Sequence, residues 1–351
     1  QMSHQERYAG LVRGAVRGAR VVQRVDPALR SLPLADAADA VTGGRWPWFR
    51  EWATHRDAAD DYWAPYDASA ALDRVEVPVL LAGGWQDVFV HDVLDQYAHL
   101  EARGVDVAMT VGPWTHGELI SKASPTLFAE ALEWLDHHLA GEPLRRASPV
   151  RIHTGGTQRW QGLEAWSPRD EGCHLRPGPG GVLAQETGPG DAGPGSVSFT
   201  YDPDDPTPSV GGRMLTAARA GFRDDSALAR RDDVVVLDTA ELAEPLRLDG
   251  YAVLTLAHAA DGGCDVFVRL SDVAPDGTST NVTDGFLRRD DALGPRALTI
   301  RLAPTSYELP AGHRLRLLLA GGDFPHHERN LGTGEDPASG TATRRVTHTV
   351  D

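Results

Sequence analysis

"VPVLLAGGWQDVFVHDVLDQYAHLEARGVDVAMTVGPWTHG", residues 77–117, is the stretch from which the fold is read. "VPVLLAGG" is a short apolar run bounded by Pro78 and by glycines, as a strand buried on both faces requires. Apolar side chains then recur at Val90, Val93, Leu94, Tyr97 and Leu100 and stop before Gly104, the spacing of a helix that ends on glycine. "VDVAMTVGPW" reads as a second strand. Asp87 follows the first strand and His116 the second. Side chains that follow parallel strands collect on the carboxyl rim of the sheet, which places these two residues at one site.

An acid followed by an imidazole, one strand-helix-strand unit apart, matches the last two members of the Ser…Asp…His order of α/β-hydrolases. The residue types suit that chemistry. A serine hydroxyl is a weak nucleophile at neutral pH and needs an imidazole to take its proton and later return it. The imidazole in turn needs a carboxylate on its far nitrogen to fix the tautomer and stabilise the imidazolium. A further helix is expected in "SPTLFAEALEWLDHHLAG" (124–141), with Ser124 as N-cap, proline at the first helical position, apolar Phe128, Leu132, Leu135 and Leu139, and Gly141 past its end. The β-α-β-α run is the closing part of a doubly wound sheet.

Outward from this segment the composition changes once. All nine tryptophans lie between Trp46 and Trp166, and the rest of the chain is rich in short β-branched stretches. Residues 1–75 read as a helical cap region. "ERYAGLVRGAVRGARVVQRV" places Tyr8, Leu11, Val12, Val16 and Val22 near one face, and seven aromatics crowd the span Trp46 to Tyr66. Residues 76–146 are the α/β part. From 147 to 351 the segments "VRIHTGG", "SVSFTYD", "VVVLD", "YAVLTLAHA", "CDVFVRLSDV", "ALTIRLA" and "HRLRLLLAGG" alternate with Pro, Gly and Asp turns, which predicts an all-β sandwich of jelly-roll type. The stretch 176–196, rich in glycine and proline, is expected as an exposed loop.

"GGWQDVF" and "VGPWTHGEL" resemble the acid and histidine motifs of the cocaine esterase and α-amino-acid ester hydrolase family, relatives of the X-Pro dipeptidyl-peptidases. "DDYWAPYD", "SPVRIHTGGTQRWQGLEAWSP", "DVFVRLSDVAPDGTSTNVTDGFLR" and "GGDFPHHERNLGTGE" are similar to other stretches of that family, so the resemblance runs over roughly residues 40–351. It implies an α/β-hydrolase core, a helical cap and a C-terminal jelly roll that together hydrolyse small acyl esters or amides through a Ser-His-Asp triad, with Asp87 and His116 as acid and base. Trp48, Phe49, Trp52, Trp85 and Trp114 are candidates for the substrate pocket, Trp85 and Trp114 being better suited to packing beneath the site.

A nucleophile elbow needs Gly-x-Ser-x-Gly on a tight strand-to-helix turn, and that motif does not occur in this sequence. The one Gly-x-Ser is "GTSTN" (277–281), expected as a turn serine. The resemblance places the family's serine and oxyanion-hole tyrosine ahead of the cap helices. The expectation is therefore a C-terminal part of a hydrolase whose serine sits on a separate N-terminal segment, and whose sheet, taken alone, has an unpaired edge and half a core. The alternative is a non-catalytic remnant whose jelly roll binds carbohydrate or protein. No run of aromatics in the β region suggests a sugar platform.

Other features narrow the field. The 351 residues carry a net charge of −16, with Lys122 as the one lysine among 34 basic residues, which disfavours nucleic acid as a partner. No apolar run approaches a membrane span, so no membrane partner is expected; the start lacks the apolar core of a signal peptide, and the expectation is a cytoplasmic protein, with secretion as the open alternative. Homo-oligomer formation stays open. Cys173 and Cys264 have neither metal nor disulfide spacing and are expected as buried thiols. No cofactor and no metal are implied, since "DHHL" (136–139) and "PHHE" (325–328) lack His-Glu-x-x-His spacing. Paired carboxylates in "RDD", "DDPT" and "DAADD" are expected in solvated loops and helix ends.

Overall fold

The computed structural model describes residues 24–167, 172–178, 181–185, 196–216, 218–289 and 294–351. The face of Tyr8, Leu11, Val12, Val16 and Val22 lies outside the described residues. Residues 24–29 are helical and are followed by the helices α1 (Ala37–Thr42) and α2 (Trp48–Thr54).

The quoted core segment folds as its pattern requires. Strand β1 (Val79–Gln86), helix α3 (Val90–Ala102) and strand β2 (Val107–Thr115) form a β-α-β unit in which β1 and β2 run parallel. Val90, Leu94, Tyr97 and Leu100 of α3 are buried against Met109 and Val111 of β2. The short helix α4 (His116–Leu119) and the long helix α5 (Ser124–Ala140) follow. Ser124 is the first helical residue of α5 and makes no side-chain cap; the N-cap is Ala123, and Gly141 closes the helix in the left-handed region.

The sheet does not stop where the composition changes. Strand β3 (Val150–Thr154) pairs parallel to β2, and β4 (Arg159–Leu163) pairs antiparallel to β3, giving the order β1-β2-β3-β4. "VRIHTGG", read as the first strand of the sandwich, is therefore a strand of the α/β sheet. Val150 and Ile152, on one face of β3, fill the same core as Met109, which explains the pairing.

β5 (Leu175–Pro177) and β6 (Leu183–Gln185) form a small hairpin inside the stretch expected as a loop. Cys173 lies beside this hairpin and is exposed, contrary to expectation, because no second layer covers it; Cys264 is buried. The sandwich is built from two four-stranded antiparallel sheets. One has the order β13 (Arg296–Arg301), β10 (Val253–Ala260), β16 (Val346–Val350), β7 (Val197–Tyr201). The other has the order β12 (Ser279–Arg289), β11 (Cys264–Val273), β15 (Arg314–Ala320), β8 (Val234–Asp238). Between them lie Phe199, Leu256, Val266, Val268, Val282, Ile300 and Leu319. β9 (Leu246–Gly250) and β14 (Thr305–Leu309) pair beside this core.

Polar groups are also buried here. Asp225, in an Arg-Asp-Asp triplet expected in a solvated loop, is fully enclosed and accepts a hydrogen bond from Ser271 Oγ at 2.7 Å. Arg269 joins it to Asp284, which also pairs with Arg213 at 2.5 Å. A buried charge is tolerable only with such partners. Ser279 is not in a turn: it opens β12 and has no exposed surface, so it cannot meet a substrate. No helix among the described residues is long and apolar enough to cross a membrane.

Candidate active site

The two candidate residues are brought level by an irregularity in strand pairing. From Val79↔Val107 to Gly84↔Gly112 the partners are 28 residues apart, whereas Gln86 pairs with Thr115, 29 apart. A one-residue slip would turn a side chain to the opposite face of a strand. The extra residue, a bulge at Pro113 and Trp114, moves β2 ahead by one position. Asp87 and His116, themselves 29 apart, therefore meet. The glycines permit this. A Cβ on Gly84 would run into the Trp114 carbonyl, and one on Gly112 into the Trp114 ring.

Asp87 is 2 % exposed. Its backbone N–H donates to the Gly84 carbonyl at 2.9 Å, and its Oδ1 accepts the Phe89 N–H at 3.2 Å. The same Oδ1 lies 3.1 Å from His116 Nδ1. The His116 side chain is 43 % exposed, and with Nδ1 turned to a buried carboxylate the open part of the ring is the edge carrying Nε2. His116 is the first residue of α4, whose start is clamped by a capping box: the Thr115 N–H donates to Glu118 Oε2 at 3.0 Å while the Thr115 side chain accepts from the Glu118 backbone. Burial pushes the Glu118 carboxyl up, but hydrogen bonds from Lys122 and Thr115 outweigh it and hold the group below its ordinary value. The clamp on the histidine is thus ionised at neutral pH.

Of the aromatic candidates, Trp85 is 1 % exposed, donates its indole N–H to the His153 carbonyl at 2.7 Å and packs on Trp166. It ties β1 to β3 below the rim. Trp114 is buried against Trp160, ring centroids 5.7 Å apart. Both lie under the site rather than at its opening. Trp85→Phe is expected to keep the packing but leave a buried carbonyl unpaired, lowering stability by about 2 kcal/mol in urea denaturation. Trp48, Phe49 and Trp52 sit on α2. Phe49 packs with Val25, Leu34 and Val41, whereas Trp48 and Trp52 are half-exposed in a chain of rings that continues to Trp63 and Tyr66. This helical segment is anchored on the sandwich through the Ala35 N–H to the Ala338 carbonyl (2.9 Å) and Arg56 to Glu328 (3.4 Å).

Several neighbours were not singled out from the sequence. Phe89 presents its ring edge to the imidazole at 5.2 Å, and its place two residues after Asp87 was the available signal. Gly221 of the sandwich lies against the Thr115 methyl, Gln86 Nε2 donates to the Val282 carbonyl at 3.3 Å, and His91 approaches Tyr251 at 6.3 Å. Burial, then the Arg213 charge, lowers the His91 pKa below its ordinary value. These contacts span more than a hundred residues and leave no local signature. The sandwich is thus part of the wall around the acid and histidine.

Known proteins share this fold. Residues 6–118 match the X-Pro dipeptidyl-peptidase (S15) family, and residues 145–351 match the X-Pro dipeptidyl-peptidase C-terminal non-catalytic domain. Cocaine esterase of Rhodococcus sp. (strain MB1 Bresler) is 27 % identical over 350 residues, covering 90 % of this chain and 60 % of that protein. The solved structure of a selenomethionine-labelled α-amino acid ester hydrolase aligns with a TM-score of 0.79 at 22 % identity, covering 92 % of this chain and 61 % of that one. An aminopeptidase from the marine sediment archaeon Thaumarchaeota archaeon aligns with a TM-score of 0.79, also at 22 % identity, covering 93 % and 61 %. The chain therefore spans about three-fifths of the length of these relatives. Its C-terminal match alone takes in more than half of its residues, and the chain belongs to the X-Pro dipeptidyl-peptidase family.

Proposed function

We propose that this chain is the acid-base part of a serine-type acyl hydrolase acting on small esters or amides, with the nucleophilic serine supplied by a segment that completes the sheet at β1. The observation that carries the reading is the Asp87–His116 contact of 3.1 Å on the carboxyl rim, produced by a bulge that has no other evident purpose. His116 Nε2 takes the serine proton as Oγ attacks the acyl carbonyl, Asp87 holds Nδ1–H and stabilises the imidazolium, and the ring then returns the proton to the leaving alcohol or amine. Water repeats the sequence on the acyl-enzyme. Trp48 and Trp52, with Phe49 behind them, offer aromatic surface for the acyl group.

The surface around β1 supports a partner there. β1 is an edge of its sheet, and Phe128, Leu132, Leu135 and Leu139 of α5, one helical stripe, are exposed together with Ile120. A stripe of this size is what a missing layer of the same domain would cover. The comparison lengths are in keeping with this, since about two-fifths of each matched relative lies outside the aligned part. In the protein that includes the serine-bearing segment, a fluorophosphonate probe is expected to add its mass to that segment, and His116→Ala to abolish the addition. Labelling that persists in the variant would reject His116 as the base.

A further inference from the structure

"PHHE" (325–328) lacks the helical spacing of paired histidine ligands. The fold adds a third donor from three residues upstream. Asp323 is buried beneath the turn, and its Oδ2 lies 3.1 Å from His326 Nδ1 and 3.3 Å from His327 Nδ1. All three donor atoms are within 4.8 Å of one another. Ligands held at about 2.0–2.2 Å around a single zinc-type ion stand roughly 3.0–3.5 Å apart, so the two histidine-to-aspartate separations fit coordination as well as hydrogen bonding.

The turn is fixed independently of these contacts. The His326 N–H donates to Ser209 Oγ at 3.0 Å, the His327 N–H to the Asp323 carbonyl at 2.8 Å, and the Ser209 N–H to the Phe324 carbonyl at 2.7 Å. The His327 ring lies flat on Phe286, 3.8 Å between centroids and 3° between planes. The imidazoles are therefore preset rather than collected by an ion. Both histidine side chains are partly exposed whereas the aspartate is enclosed, which leaves the outer side of the triangle open to water. Charge favours a cation as well. In the buried network behind it, Arg213 and Arg269 are matched by Asp284 and Asp225, so the charge of Asp323 is the surplus one.

We propose that Asp323 Oδ2, His326 Nδ1 and His327 Nδ1 bind one divalent transition-metal ion of the zinc class, with water at the remaining positions. Two nitrogens and one carboxylate with an open side suit zinc, cobalt or a neighbouring first-row ion. On binding, the ion replaces the hydrogens that the imidazoles otherwise direct at the carboxylate. The site is structural in placement. The same turn carries Phe324 and Arg329, and Arg30 of the N-terminal helical region lies over the Phe324 ring at 5.0 Å while its carbonyl accepts from Arg329 Nη2 at 2.5 Å. An ion here would fix the surface on which that region docks.

The test is a titration of the untagged full chain, stripped with chelator, using Co²⁺ read by its visible d–d bands and Zn²⁺ by competition and by thermal shift. One equivalent is expected, displaced by zinc, with a rise in melting temperature. His326→Ala and His327→Ala are each expected to weaken binding more than about 100-fold and to remove the thermal shift, while far-ultraviolet circular dichroism stays that of the parent. Equal binding by parent and variants would overturn the assignment, as would no binding at all. A thiolate-to-cobalt charge-transfer band that disappears in Cys264→Ala would also overturn it, since it would place the ion at the separate cluster of His258, Cys264 and His348.

Discussion

Replacing His116 by alanine in the protein that includes the serine-bearing segment is expected to lower kcat on an activated ester by about 10⁶-fold, and replacing Asp87 by alanine by a smaller factor, about 10⁴-fold. The asymmetry follows from the geometry. In the proposed reaction His116 moves the proton, and among the described residues it is the one imidazole hydrogen-bonded to Asp87. Asp87 acts through it. Without the carboxylate the ring keeps its place at the head of α4, where the Thr115–Glu118 capping box and the edge of Phe89 still confine it, and loses the charge that fixes its tautomer. The double variant is expected to be no slower than His116→Ala alone, because residues that act as a unit are not additive. Single-turnover measurements with a p-nitrophenyl ester would check the order. Equal, additive losses of about tenfold each would show that the two residues only support the fold.

How far the sequence carries to this site depends on the range of the interaction. The strand-helix-strand unit was legible because its apolar positions are local and periodic: Val90, Leu94, Tyr97 and Leu100 are buried as their spacing requires. Asp87 and His116 were legible as rim residues for the same reason. Periodicity was less informative about what covers a face. Phe128, Leu132, Leu135 and Leu139 specify a helix correctly, yet here they face outward, since a 3.6-residue repeat states which side chains share a face and not what covers it. β12 escaped notice because Asn281, Thr283 and Asp284 interrupt its apolar pattern; they are buried polar residues whose partners are Gly221 and Arg223 for Asn281, the Ala303 carbonyl for Thr283, and Arg269 of β11 with Arg213 for Asp284. β9, β14 and β16 were missed as well, their five-residue runs being broken by charged or polar residues such as Arg247, Asp249, Glu308 and His348. The bulge that levels the acid with the histidine was hidden in "GGW" and "GPW", where Gly84 makes room for the Trp114 carbonyl across the strands and Gly112 for the Trp114 ring within β2, relations visible only once the strands are paired.

The sandwich is expected to lose stability steeply as the pH falls from about 6.5 toward 4, and two histidines that take no part in the site are the cause. His258 of β10 and His348 of β16 are buried, with His258 Nε2 3.1 Å from His348 Nδ1 and Arg289 Nη1 3.0 Å from His258 Nδ1. Arg289 can only donate, so His258 accepts at Nδ1 and donates from Nε2 to His348. A proton added to either accepting nitrogen breaks a hydrogen bond inside the core. Burial, then the Arg289 charge, pushes His258 down to about 4; burial, then the charge of His258, pushes His348 down to about 3. In the unfolded chain both titrate near 6.5. Above that pH neither state binds the protons and the stability is fully present. Between about 6.5 and 4 the unfolded state binds up to two protons that the folded state refuses, a slope of at most about 2.7 kcal/mol per pH unit. His348→Phe preserves the ring stack on Phe199, which lies 4.5 Å away at 15°, and removes one of the two groups. At pH 7 the variant is expected to be less stable by about 2 kcal/mol, because His258 Nε2 loses its acceptor. Its acid slope should nevertheless fall by about 1.4 kcal/mol per pH unit, since one proton fewer is excluded. Urea midpoints of parent and variant at pH 7, 6 and 5, followed by circular dichroism, separate the two effects. Carboxylates titrate alike in both proteins and cancel in the difference. Parallel stability curves would show that His348 is not a source of the acid sensitivity, and converging curves that the neutral imidazole pair holds the two strands together.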